Sequence, residues 1–188
     1  MKKYMLLVCS IFVFLFVMFS QSFAADLTAD MITKDGKRTY NGKIYVKDSK
    51  CRLERGSTPL YTIIRGDKAI FWQVNSAEKT YIQAKLTPDM KPTTIEEKIS
   101  GETARKLVGT ETVNGYPAKK YEVTAKRGKK TETITQWFST EYNFPVKVVG
   151  PNWSVEYKNI KKGGVSDNIF ELPAGAMLDT MEVPDVLH

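Results

Sequence analysis

The chain has 188 residues, 42% of them hydrophobic and 26% charged, with 28 Lys+Arg against 21 Asp+Glu. That composition supports one ordinary globular domain and argues against a disordered chain. The single histidine is the last residue, His188, and the two cysteines are Cys9 and Cys51, so an imidazole relay and a Cys/His zinc cluster lack the residues to build them.

In chain order, the first feature is a targeting signal. Lys2 and Lys3 form a positive start, an uncharged apolar run covers residues 5–19, and Ser22-Phe23-Ala24 puts small residues three and one before a cut. This is the pattern of a secretory signal peptide, and the apolar run is short for a membrane span. The expectation is cleavage after Ala24 and export to the periplasm. Cys9 lies inside the apolar run and not at its end, so it is no lipidation site. Loss of Lys2 and Lys3 leaves 26 basic and 21 acidic residues, a net charge of +5. Only Cys51 then remains, so no intramolecular disulfide forms, and its strand setting suggests a small apolar filler.

The mature part reads as an antiparallel meander. Alternating segments recur between turn residues, the signature of an all-β sandwich or barrel. Strands are predicted over residues 27–33, 38–47, 51–55, 60–65, 69–75 and 80–86. A second series covers 106–113, 117–125, 131–139, 146–149 and 153–161, with a last short strand at 168–172. Asn114-Gly115 is a strong hairpin signal. The count is about ten strands, and the linkers are too short for the crossovers of a parallel sheet.

Between the two series lies a polar interruption, residues 87–105. Thr94 with Glu97 and Thr93 with Glu96 have capping-box spacing, Ile95 and Ile99 share a helical face, and Gly101 suits a helix end. The spacing predicts one short helix, about seven residues long, which must lie on the sheet to persist. It is either an ordinary connector or a small lid.

Four features bear on function. Ala69 to Val74 is apolar on both faces, with Ile70, Trp72 and Val74 on one and Ala69 and Phe71 on the other. Such a strand is covered on both sides, by core on one and by core, a helix, a lid or a lipid on the other. Aromatic residues are spread over many strands, which suits either a filled sandwich or a half-open barrel with an apolar concavity. The basic clusters Lys119-Lys120, Lys126-Arg127, Lys129-Lys130 and Lys161-Lys162 fall at strand ends and turns. They fit solvated, protected edges, or attraction to anionic lipid headgroups or lipopolysaccharide. Nothing pairs two carboxylates, so glycosidase-type chemistry has no support, and nucleic acid is a poor partner for this pattern.

Several motifs, in order, resemble those of the periplasmic LolA-like superfamily. Arg65 to Tyr81 (RGDKAIFWQVNSAEKTY) is similar to its D-G-K-x-x-W strand pair, and Gly115 to Tyr121 to its G-x-x-x-x-x-Y strand. Trp137-Phe138-Ser139 with Phe144-Pro145-Val146-Lys147 resembles its W-x-D…P stretch, and Phe170 to Gly175 its closing F-x-x-P-x-G. The resemblance implies an open antiparallel half-barrel over residues 25–188, with an apolar inner surface covered by helix. Members carry lipoproteins, bind other lipids or sense envelope damage. Two departures, a strand almost at the mature N-terminus and Asp48 after Val46-Lys47, set this chain on a branch apart from the lipoprotein carriers.

The reading is a non-enzymatic periplasmic binding protein without metal or cofactor, holding acyl chains of a lipid or lipidated protein in an apolar half-barrel. The alternative is an envelope interaction or stress-sensing module that binds a protein partner, and an anionic membrane surface is a further possible contact. Alternation assigns Ile44, Ile64, Trp72, Val74, Phe138 and Val155 to the lining, with Ile95 and Ile99 as the lid.

Overall fold

The computed structural model describes residues 25–87 and 95–179. The expected signal sequence and the expected capping residues Thr93 and Thr94 lie outside them. The described residues form twelve strands in one open sheet. The first series is β1 (Asp26–Asp35), β2 (Arg38–Lys47), β3 (Lys50–Arg55), β4 (Leu60–Arg65), β5 (Ile70–Asn75) and β6 (Thr80–Lys85). The second is β7 (Glu102–Val113), β8 (Tyr116–Arg127), β9 (Lys130–Ser139), β10 (Phe144–Val149) and β11 (Trp153–Lys162), followed by the two-residue β12 (Met177–Leu178).

Each series is a meander in which consecutive strands pair antiparallel, and the two meet where β1 pairs β11. The result is an all-β, mainly antiparallel, open half-barrel. Turn chemistry sets the joints. Asn114 and Gly115 both have positive φ, 51° and 86°, as a tight hairpin whose twist matches its strands requires.

Alternation sorts the side chains onto two faces. Leu27, Ala29 and Met31 of β1 lie across from Val46, Ile44 and Gly42 of β2. The same register carries this face, called the front face below, to Cys51 and Leu53 of β3, Ile64 of β4 and Phe71 of β5. These residues belong to, or pack against, the largest buried cluster. On the back face, Ile63, Trp72 and Val74 form a second cluster with Tyr45, Tyr61 and Tyr81. The strand read as apolar on both faces is therefore covered on both.

The back cover is the C-terminal segment. Val165 and Phe170 are buried in that second cluster, with Ile169 and Leu172 packed against it. Residues 168–172 were expected to be a strand. Instead Asp167–Phe170 is a 3-10 turn, which aims Phe170 into the sheet, and the last strand is β12. β12 runs parallel to β6, Met177 against Thr80 and Leu178 against Tyr81. We call residues 165–178 the strap.

The expected helix over the interruption is also corrected. Residues 95–100 are bends and turns, and β7 starts at Glu102, four residues earlier than the sequence suggests. So short a helix gains too few internal hydrogen bonds, and its carbonyls are taken by side chains of the sheet. No helix among the described residues is long and apolar enough to cross a membrane.

Candidate functional site

The site of interest is the front face where residues 95–100 lie over it. Val123 and Ala125 of β8, Ile134 of β9 and Val148 of β10 form an apolar floor, and Ile99 is buried among them at 1% exposure. Ile95 packs instead against the larger front cluster. The segment thus lays two isoleucines on the sheet without being a helix.

Its backbone is held by polar side chains from the sheet. Gln136 of β9 follows Ile134 on the same strand face and is fully buried. Its amide donates to the Glu96 carbonyl at 2.9 Å. Arg105 of β7 donates to the Gln136 side-chain oxygen at 2.9 Å and to the Glu97 carbonyl. Glu102 completes the latch, accepting from Arg105 at 2.7 and 2.8 Å and from the Ile99 amide at 3.1 Å. The Arg105 guanidinium holds the Glu102 carboxyl below its ordinary range, aided by the Ile99 amide, and Glu102 in turn tightens Arg105's hold on its proton. Arg105 also stands 4.7 Å over the Tyr121 ring. A buried Gln with a partner at each end of its amide leaves neither end orphaned, which makes the geometry specific.

The segment ends at Gly101, whose carbonyl accepts from the Lys126 amide at 2.8 Å. Its φ is +73°, and a Cβ there would lie 2.2 Å from the Lys126 carbonyl oxygen. Only glycine fits this closing turn.

The residues read from alternation as lining divide between the faces. Ile44, Ile64 and Val155 fall in the front cluster. Phe138 is buried in β9, two residues beyond Gln136. Ile99 and Ile95 cover this side. Trp72 and Val74 do not join them. Ile63 lies across from Trp72, whereas Ile64 lies across from Phe71, so Trp72 and Val74 face back, under the strap. The Trp72 ring N–H donates to Gln83 at 2.8 Å. The error was to pool strands without fixing their register, since a one-residue offset exchanges faces.

Arg105, Glu102 and Gln136 were missed. One signal was present, because Gln136 is a polar residue at an inward position between Ile134 and Phe138. A separate polar recess of about 470 Å³ lies at the β1–β11 irregularity, lined by Thr28, Asp30, Lys43, Asn159 and Lys161 among others. Its side chains are wrong for an acyl chain. Among the described residues no cluster of His, Cys, Asp and Glu could hold a metal ion.

Residues 23–143 match a family model described as "Domain of unknown function (DUF4412)". This chain belongs to the DUF4412 family. No curated protein matches it. Among solved structures, the DUF4412 chain is similar to MucB of Pseudomonas aeruginosa in its complex with MucA, at 12% identity and a TM-score of 0.53, covering 79% of this chain and 56% of that one. It is similar to MucB alone at 13% identity and a TM-score of 0.52, covering 80% and 58%. The chain therefore spans little more than half the length of those structures. LprF from Mycobacterium bovis is a more distant likeness, with 8% identity and a TM-score of 0.43 over 80% and 90% of the two chains. At these identities the likeness concerns the fold, and the DUF4412 chain has the LolA-like fold that its motifs resemble.

Proposed function

We propose that this protein is an exported envelope binding protein that takes an acyl chain, of a lipid or a lipidated protein, onto its front face, with residues 95–100 as a displaceable plug. The observation that carries this reading is how the plug is held. Ile99 fills an apolar floor, but the backbone around it is tied by Gln136 and Arg105 and not by a helix of its own. Lifting the plug exchanges those hydrogen bonds for bonds to water and leaves the strand ladder intact, so it costs less than opening a core. An acyl tail then restores the burial at about 0.8 kcal/mol per CH₂. In this reading Ile44, Ile64, Phe138 and Val155 line the front face, and Ile95 and Ile99 yield to the ligand. No bond is made or broken, since the work is transfer of apolar surface out of water. Cleavage after Ala24 and a periplasmic location belong to the same proposal.

A second reading is favoured by one finding: the solved structures with TM-scores above 0.5 include MucB bound to MucA. Here the plug would give way to an apolar segment of a protein partner.

The test is native mass spectrometry of the purified protein with palmitate and with a diacylated lipopeptide, combined with amide exchange. The expected result is a one-to-one adduct and faster exchange in residues 96–100. Arg105→Ala, which releases the plug, should bind about tenfold more tightly, as a loss of roughly 1–2 kcal/mol from the latch implies. No adduct at micromolar concentration, and no change in exchange, would exclude the acyl reading and leave the protein partner.

A further inference from the structure

We infer that one rim of the half-barrel is a docking surface for an anionic lipid bilayer. Sequence places basic pairs at many turns, and the topology decides which of them stand together. Because the strands alternate in direction, the turns β1–β2, β3–β4, β5–β6, β8–β9 and β10–β11 share one end of the sheet. Neighbouring turns touch: the Gly36 amide donates to Asn152 at 2.9 Å and the Ser76 amide to Pro59 at 3.0 Å.

Charge is concentrated at this end. The β8–β9 turn carries Lys126, Arg127, Lys129 and Lys130, and the β1–β2 turn carries Lys34, Lys37 and Arg38. Arg55 and Lys79 stand on the next two turns. These nine cations meet two carboxylates in the same turns, Asp35 and Glu78. Eight of the nine are exposed, and Arg127, half-buried, lies 3.8 Å from Glu132. Among the described residues no ion pair engages Lys126, Lys129 or Lys130.

The opposite rim differs. Its Lys47 and Lys50 are bonded to Asp167, and its Arg65 is bonded to Asp67 and Glu171. Those cations fasten the strap and are already neutralised. The basic pair Lys161-Lys162 is exposed at the far end of β11, on this opposite rim and away from the row of basic turns, with Lys162 4.7 Å over the Tyr142 ring.

Two exposed apolar groups accompany the free cations, Tyr40 at 40% and Leu60 at 43%. Cations beside an exposed tyrosine and leucine suit the headgroup layer, where anionic lipids attract Lys and Arg and amphipathic rings settle. A row of turns offers a broad contact with no groove or stacked aromatic platform, which favours a lipid surface over a nucleic acid. The front-face plug ends on this rim, at the bond from Lys126 to Gly101. The inference does not depend on what the front face holds.

The test is co-sedimentation of the purified protein with phosphatidylcholine vesicles containing one quarter phosphatidylglycerol, against phosphatidylcholine alone. Binding is expected only to the anionic vesicles and is lost between about 0.1 and 1 M salt, as the screening length shortens from ~10 to ~3 Å. The triple variant Lys126→Gln, Lys129→Gln, Lys130→Gln should lose roughly a hundredfold in partitioning, about fivefold per cation, with an unchanged melting temperature. The double variant Lys161→Gln, Lys162→Gln should partition as the parent does. Equal losses in both variants, equal binding to neutral vesicles, or preferential retention on duplex DNA would each overturn the proposal.

Discussion

Cys51 lies between Val46 and Ile64 in the register of the front face, at 1% exposure. Desolvation pushes its thiol far above the ordinary range, so the nucleophilic thiolate is suppressed. A thiol reagent should therefore label Cys51 at least a hundredfold more slowly in the native protein than in denaturant, a ratio set by the opening equilibrium. Rapid native labelling would contradict this burial. Cys51→Ser is expected to cost about 1–3 kcal/mol in chemical denaturation, since a hydroxyl enters a site built for an apolar group. Val74 behaves differently from a cavity residue. It is fully buried beneath the strap, so Val74→Glu should unfold the domain outright, because an unpaired carboxylate has no water there. A folded Val74→Glu protein that had merely lost its ligand would place Val74 in a binding cavity after all.

The strap shows what a short element gains from charge. Asp167 accepts from Lys47 and Lys50, whose hydrogen bonds hold its pKa down to about 2. Arg65, only 6% exposed in its side chain, ties Asp67 and Glu171 and donates to the Phe170 carbonyl at 3.3 Å. A carboxylate with a depressed folded pKa contributes stability above its unfolded pKa and loses it as the pH falls through the folded value. The strap should thus loosen between about pH 4 and pH 2, seen as faster amide exchange at 165–172 and a shift in Trp72 emission. Asp167→Asn should remove most of that pH dependence, and a strap whose exchange is unchanged down to pH 2 would refute the account. Phe170→Ala, which empties a fully buried ring site, should cost about 3–5 kcal/mol. Neither strap nor latch was legible as an element. Strands announce themselves through neighbours two apart, and hairpins through Asn114-Gly115. The bonds of the strap, such as Lys47 to Asp167 across 120 residues, leave no local periodicity. The likeness of Phe170 to Gly175 to a family motif marked the place without giving its role. The short helix failed for the complementary reason: capping signals at 93–97 are local, and Gln136, 40 residues away, claimed the Glu96 carbonyl while Arg105 of β7 claimed that of Glu97.

At the scale of the molecule, the open half-barrel was implied by the LolA-like resemblance, while alternation was enough to read an antiparallel all-β sandwich or barrel, because the two sides of a strand differ in exposure and its residues must match them. It was not enough to say which strands share a face, and Trp72 and Val74 were misplaced for that reason. The purified exported protein should begin at Ala25, checked by intact mass; recovery of Met1 or Lys2 as the N-terminus would refute the signal. One property of the sheet has a bearing on how the chain is made. Among the described residues, the ladders of its two meanders pair only at β1 and β11, a seam whose Asn159–Asp30 bond spans 129 residues. Until β11 has been synthesised, β1 is an edge with half its ladder bonds unmade, and the front core lacks Val155 and Tyr157. Contacts so distant in sequence form late, because their loop entropy must be overcome first. Under the export proposed above, delayed folding of this kind would keep the nascent polypeptide extended while it is threaded across a membrane. A chain stopped before Trp153 should accordingly remain protease-sensitive, and adding the last strand should convert it to the resistant state in a single cooperative step.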